Sequence, residues 1–385
     1  MTIAAAKPKA ESPLAQFGQF VLVLQGGGAL GAYQAGVYQA LHEAGIEPDW
    51  IIGTSIGAIN ASLIAGNKPQ NRLKRLTQFW ERIEHSPLLR AAGSMPVMGQ
   101  AASTFLSTMC GVGGFFEPNA RAHWGNHVKL GAEEAGYYST APLKKTLGDL
   151  VDFDQVQDGP VRLTVGAANV RTSQMRYFDS REMALDVRHV MASGALPPAF
   201  PAIRIDGELF WDGGILSNTP VEAVFDDKPR RNGLVFAVHV WNPNGPEPDS
   251  ILKVMNRQKD LQYSSRAGAL IARQRQIHRL RHIISELSAR LPQEAMHDNL
   301  VREMASYGCP TRMHVVRLLA PQVRGEDHAK DIDFSPSGIK TRWQAGYADA
   351  NRVLKAQPWA APVDPIEGFI LHEANTDEMQ DQPSP

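Results

Sequence analysis

The residues best placed to do chemistry are Gly53-Thr54-Ser55-Ile56-Gly57, which follow the apolar run Trp50-Ile51-Ile52 and precede a helical pattern from Ala58 to Ala65. A serine on a sharp strand-to-helix turn, with glycines where side chains would strike neighbouring backbone, is a nucleophile elbow. As a string it is only moderately specific, because a capping serine in an ordinary turn reads the same way. The apolar strand directly before it favours the elbow.

A second glycine turn, Gly26-Gly27-Gly28-Ala29-Leu30-Gly31, joins the apolar run Phe20-Val-Leu-Val-Leu24 to a helical pattern. Adjacent glycines leave backbone N–H groups unshielded at a helix N-terminus, where partial positive charge collects. Gly26, Gly27 and Gly28 therefore suit an oxyanion hole, whose donors are held in place before charge develops. The same residues satisfy the dinucleotide fingerprint G-x-G-x-x-G, which also requires an acidic residue at the end of the next strand. Here that strand ends at the serine turn, with Asp49 at its beginning. A bland reading, in which the glycines only permit a tight turn, stays open.

A serine hydroxyl needs a base. His189 falls in a helical pattern and His239 in an apolar strand, so each reads better as a structural imidazole than as a catalytic one. Trp211-Asp212-Gly213-Gly214 places an aspartate at a strand end before a glycine turn, although Asp-Gly-Gly alone is a common turn.

These turns need strands and helices to carry them. In the first helix Tyr33, Val37, Ala40, Leu41 and Ala44 recur on one face, with Gly45 at the C-terminal cap position. Alternating strands and helices imply a parallel sheet with its site beyond the carboxyl ends of the strands. Further strands are expected at residues 161–168, 175–178, 209–211 and 234–241, with a helix over 186–193. Residues 86–139 are rich in glycine, methionine and aromatics, and 88–138 is the candidate lining for an apolar pocket. After Pro248 come helical patterns to about residue 290 and over 293–306, a strand at 313–319, and a helix at 335–355.

The chain has 385 residues, a formal charge of -1 and 21% charged residues, which gives no global pull toward nucleic acid. Cys110 and Cys309 are too far apart in sequence for a metal-binding pair, and a reducing cytoplasm fits them best. No run of apolar residues is long enough to span a bilayer. Residues 1–18 and 371–385 read as disordered tails. Between residues 251 and 290, nine lysines and arginines face only Asp260 and Glu286. That excess suits peripheral contact with an anionic membrane, or equally a solvated helix face.

Taken in order, Gly26-Gly-Gly-Ala-Leu-Gly31, Gly53-Thr-Ser-Ile-Gly57 and Asp212-Gly-Gly214 resemble the motifs of the patatin-like phospholipases. Ala192-Ser-Gly-Ala-Leu-Pro-Pro-Ala-Phe-Pro201 resembles the stretch before that family's aspartate turn, and the C-terminal part resembles that of a bacterial subgroup. The resemblance implies a three-layer α/β/α sandwich with a mainly parallel sheet and a mostly helical C-terminal extension. It implies a Ser55–Asp212 dyad acting on a lipid ester through an acyl-enzyme, with no metal or cofactor. Gly31, Gly53, Gly57, Gly213 and Gly214 would shape the three turns. Leu30 departs from the family, which often has a basic residue there, and this bears on preference for anionic head groups. A Ser-His-Asp esterase and a catalytically degenerate lipid-binding protein are the alternatives. The expected division is a hydrolase domain at 19–226 and an extension at 227–370 that completes the sheet.

Overall fold

The computed structural model describes residues 14–84, 109–125, 127–323, 329–364 and 367–373. The chain begins with β1 (Gln19–Leu24), α1 (Ala32–Glu43), β2 (Trp50–Thr54), α2 (Ile56–Ala65) and α3 (Pro69–Ile83). A small pair, β3 (Glu117–Pro118) and β4 (Tyr138–Ser139), leads to α4 (Ala141–Leu150) and α5 (Phe153–Asp158). Then come β5 (Arg162–Asn169), β6 (Met175–Asp179), α6 (Val187–Ser193), β7 (Ile203–Ile205) and β8 (Glu208–Asp212). The remainder is α7 (Glu222–Phe225), β9 (Gly233–His239), α8 (Ile251–Ser288), α9 (Asn299–Ser306), β10 (Met313–Leu319), α10 (Pro336–Ala356) and β11 (Phe369–Glu373).

One sheet runs in the order β11-β10-β9-β1-β2-β5-β8-β7, with β6 also paired to β5. Every pairing from β11 through to β5 is parallel, while β6 and β8 run antiparallel to β5 and β7 antiparallel to β8. The central strands β1, β2, β5 and β9 are buried at almost every position because both faces are covered. Phe20, Leu22 and Leu24 of β1 enter a core shared with α1, α2, α3 and α10, whereas Val21 and Val23 enter a second core with α7 and α8. Side chains alternate across a strand, so these two cores define helical layers on both sides: a three-layer α/β/α sandwich.

The long helix and three strands after residue 226 belong to the same sheet and layers. The contact between α1 and α10 is especially close. A Cβ added to Gly36 would lie 1.9 Å from the Trp343 carbonyl oxygen, and one added to Gly346 would lie 2.0 Å from the Tyr33 carbonyl oxygen. The two backbones touch where each helix has a glycine. Tyr33 further donates its hydroxyl to Asp349 at 2.8 Å.

Several boundaries differ from the sequence reading. The helical piece at 293–306 is interrupted at Asp298, whose carboxylate accepts from Leu300 N–H at 2.8 Å and starts α9 afresh. Ser55 is the N-cap residue of α2, so that helix starts at Ile56 rather than Ala58. The strand expected at 234–241 stops at His239. Strand β11 and helix α3 are additions, although Leu76, Phe79, Trp80 and Ile83 of α3 do follow a helical spacing. The basic stretch of α8 is partly neutralised within the fold: Lys259 pairs with Asp331, and Arg275 and Arg279 with Glu367.

The glycine contact yields a stability prediction. Gly346→Leu should push α10 off α1 and lower the unfolding free energy by about 1–3 kcal/mol or more, since backbone cannot move aside as a side chain can. A denaturant midpoint equal to wild type would show that the helices are not held in this contact.

Candidate active site

Strands β2 and β8 meet end to end along one edge of β5. β6 occupies the other edge from Thr164 to Ala168. Thr54, the last residue of β2, pairs with Gly166, and Asp212, the last residue of β8, pairs with Ala167. Since β2 is parallel and β8 antiparallel to β5, their C-terminal ends converge there. Ser55 and Asp212, 157 positions apart in the sequence, become neighbours.

Ser55 stands at the turn from β2 into α2 with φ 57° and ψ -127°, a conformation disfavoured for a residue with a side chain. The strain is held in place from several sides. Ser55 N–H donates to the Ser193 carbonyl at 3.1 Å and to Ser193 Oγ at 3.0 Å, and Ser193 Oγ donates to the Gly166 carbonyl at 2.6 Å. The turn also lies against the end of β1, so that a Cβ on Gly57 would be 2.3 Å from the Leu24 carbonyl oxygen. Ser55 thereby presents its hydroxyl at the positive end of α2.

Asp212 is only 2% exposed. Burial raises its carboxyl from the ordinary 3.8 up to about 6, and the neighbouring Ser55 hydroxyl and the Gly214 N–H limit that rise. Gly214 N–H donates to Asp212 Oδ1 at 2.6 Å. This is a carboxylate with a nucleophile as its partner and no countercation among these causes.

Gly26, Gly27 and Gly28 lie beside the pair. Gly26 N–H donates to the Asn218 carbonyl at 3.1 Å, and its own carbonyl accepts from Asn218 Nδ2 at 3.0 Å and from Trp241 Nε1 at 2.8 Å. Gly26 N–H is therefore occupied, which leaves Gly27 and Gly28 as the candidate oxyanion donors of this loop. Among the described residues neither of those two N–H groups has a protein acceptor. Gly28 has φ +55°, and a Cβ there would sit 2.2 Å from the Asp331 carbonyl oxygen. The glycine tract thus allows a close approach by the chain of the C-terminal part.

All five groups line a cavity of ≈ 250 Å³ whose remaining wall is mostly apolar, including Ile59, Phe115, Phe116, Tyr138, Phe200 and Phe334. Phe115, Phe116 and Tyr138 come from the segment singled out as a pocket lining; Met109 is exposed, and residues 88–108, with Met95 and Met98, lie outside the described residues. Tyr263, Asp331, Ile332 and Phe334 of the C-terminal part also line the cavity, a contribution that no local pattern indicates. Gly31 packs under Ile56, Gly213 against the Gly166 carbonyl, and Gly53 against Gly57, so each keeps a turn close to its neighbour.

Neither candidate histidine lines the cavity. His189 Nδ1 accepts from Asp186 N–H at 3.0 Å in a capping box that starts α6, and its ring packs edge-on against Phe178. His239 is 1% exposed, and burial followed by the charge of Arg317 lowers its pKa to about 3.

A serine elbow with a buried carboxylate against it stands at the strand ends of an α/β/α sandwich, and no histidine is among the described residues that line the cavity. Residues 22–225 match the family described as Patatin-like phospholipase, and residues 261–366 match a second one described as Patatin phospholipase. The chain belongs to the patatin-like phospholipase family. Lysophospholipase nte1 of Aspergillus terreus is 29% identical over 235 residues, which is 59% of this chain and 12% of that protein. Lysophospholipase NTE1 of Yarrowia lipolytica is 23% identical over 273 residues, 65% of this chain and 16% of that one. The chain therefore spans less than a fifth of the length of these relatives. The solved structure of VipD from Legionella pneumophila overlaps 88% of this chain and 67% of its own at a TM-score of 0.37 and 14% identity.

The raised carboxyl pKa of Asp212 has a sign that can be measured. A carboxyl that holds its proton more tightly folded than unfolded stabilises most below the ordinary carboxylate pKa and loses that contribution as pH rises to about 6. Asp212→Asn should thus be more stable than wild type at pH 8, by on the order of 2–3 kcal/mol. The gap should close toward pH 4. Equal stability of the two proteins at pH 8 would contradict the burial of an ionised carboxylate.

Proposed function

We propose that this protein is a serine-dependent lipid acyl hydrolase that cleaves carboxylic esters with Ser55 as nucleophile and Asp212 as base. The observation carrying this reading is the placing of Ser55 beside a buried carboxylate, in a mostly apolar cavity, next to glycine N–H groups without protein acceptors among the described residues. Ser55 Oγ attacks the ester carbonyl as Asp212 takes its proton. The oxygen that becomes negative is received by Gly27 and Gly28 N–H and by the N-terminus of α2. Asp212 then returns the proton to the departing alcohol oxygen, leaving the acyl group on Ser55. Water attacks that ester as Asp212 takes its proton, the Ser55 Oγ–acyl bond breaks as Asp212 passes the proton to Ser55 Oγ, and the free acid leaves.

Two features support Asp212 in this role without a histidine. A base with a pKa of about 6 is stronger than a surface aspartate yet mostly ionised at neutral pH. Both candidate histidines have other structural surroundings. In this reading residues 19–226 form the hydrolase domain, and residues 227–370 form the extension that completes the sheet and one wall of the cavity. The names of the relatives make a lysophospholipid the first substrate class to try.

Ser55→Ala and Asp212→Asn should each reduce ester hydrolysis by three orders of magnitude or more, with the double variant little worse than either single one. A fluorophosphonate should label wild type at Ser55 and label Asp212→Asn far more slowly. The wild-type kcat/KM should rise with pH and level off above about 6. His189→Ala and His239→Ala should keep most activity when folded. Full activity in Asp212→Asn, or loss of labelling in a folded histidine variant, would replace the dyad with a triad.

We further infer that the protein meets its substrate at an anionic lipid surface through the first turns of α8. Ile251, Leu252, Val254 and Met255 are exposed there, beside the exposed Lys253, which pairs with Asp249, and the half-buried Arg257. Exposed apolar groups interleaved with cations suit the headgroup boundary of a bilayer. Among the described residues no helix is long and apolar enough to cross a membrane. Vesicles containing phosphatidylglycerol should sediment the protein at low salt, and Ile251→Asp/Leu252→Asp should weaken this at least fivefold. Sedimentation unaffected by that variant would move the contact elsewhere.

A further inference from the structure

Resting on the ester-hydrolase reading, we infer that Trp241 is a positioning residue for the oxyanion hole, held in place by the C-terminal part of the chain. The indole N–H of Trp241 donates to the Gly26 carbonyl at 2.8 Å. That carbonyl and the Gly27 N–H belong to one planar trans peptide and point in opposite directions. Fixing the carbonyl therefore fixes the direction of the donor that faces the developing oxyanion. Asn218 Nδ2 grips the same carbonyl at 3.0 Å, so the peptide is held at two points and cannot swing about its flanking bonds. A Cβ on Gly27 would lie 2.6 Å from Val240 Cγ2 and 3.1 Å from Trp241 Nε1, which shows how closely the loop rests on this residue.

Trp241 is itself anchored from both its backbone and its ring. Its backbone N–H and that of Val240 donate to Gln25 Oε1 at 3.1 and 2.6 Å. Its ring stacks on Tyr263 of α8 at 4.8 Å between centroids, and the Lys330 ammonium lies 5.5 Å from the ring centre. Lys330 pairs with Asp260 at 2.6 Å in a buried ion pair. One residue along on each side, Lys259 pairs with Asp331 at 2.7 Å. These crossed pairs clasp α8 to the turn carrying Asp331, whose carbonyl rests against Gly28. A buried ion pair is poor stabilisation but strong orientation, because shifting either partner strands a charge. The region after residue 240 thus reaches the glycine loop twice, through the Trp241 indole at Gly26 and through Asp331 at Gly28.

The test removes the indole N–H and keeps the ring. Trp241→Phe and the near-isosteric replacement of Trp241 by 3-benzothienylalanine should each lower kcat on a soluble p-nitrophenyl ester by on the order of 10-fold or more. KM should change less than about threefold, as expected when an interaction specific to the transition state is lost. The pH at which activity levels off should not move, because the dyad is untouched. Affinity for a trifluoromethyl ketone, whose adduct oxygen occupies the oxyanion position, should weaken by the same factor as kcat/KM. The benzothienylalanine protein should melt within a few degrees of wild type, which separates positioning from folding if Trp241→Phe proves unstable. Wild-type kcat and ketone affinity in the benzothienylalanine protein would overturn this role while leaving the Ser55 reading intact. Absence of esterase activity and of Ser55 labelling in wild type would instead overturn the reading on which it rests.

Discussion

Two strands that run in opposite directions end at adjacent register positions on β5, and the rest of the site depends on that meeting. β2 delivers Ser55 after Thr54, opposite Gly166, and β8 delivers Asp212 opposite Ala167. Neither residue could find the other if β8 were shifted by one, because the odd shift would turn Asp212 to the other face of the sheet. β6 along the other edge of β5 keeps this strand in the sheet interior, where its register is determined by buried side chains on both faces.

The meeting point is also energetically unfavourable in itself. It combines a serine in a disfavoured backbone conformation with a carboxylate removed from water, each opposing folding. The surrounding structure offsets both with short backbone bonds to Ser193 and Gly214 and with tightly packed strands. This cost has a chemical counterpart. The desolvation that opposes an ionised Asp212 also raises its proton affinity, which is what the proposed role as a base without a histidine requires.

The C-terminal part takes part in the same constraint from above the glycine loop. α10 packs on α1, the helix that the loop leads into, at two facing glycines, while Trp241 and Asp331 hold the loop's own peptides. A loop of three glycines has little stiffness of its own, since glycine loses more conformational freedom on folding than any other residue. Its order is supplied by neighbours such as Asn218, Trp241 and Asp331 that lie more than 190 positions away along the chain.

What the sequence by itself determined was local. Gly26 to Gly31, Gly53 to Gly57 and Asp212 to Gly214 are legible because each turn makes demands on its own few residues: positive φ, or backbone approach too close for a Cβ. The α/β/α architecture was legible too, since uninterrupted apolar strands alternating with helices allow few other layers. The pairing of Ser55 with Asp212 was implied by the resemblance of the three motifs, whereas only the tertiary structure decided which strands are neighbours and that Gly26 N–H is already occupied. It also brought Tyr263, Asp331 and Phe334 to the cavity. Aspartate and tryptophan carry no mark in sequence of being buried beside a particular partner. Their proton affinity and orientation come from desolvation and contacts made by distant segments, and those exist only once the chain has folded.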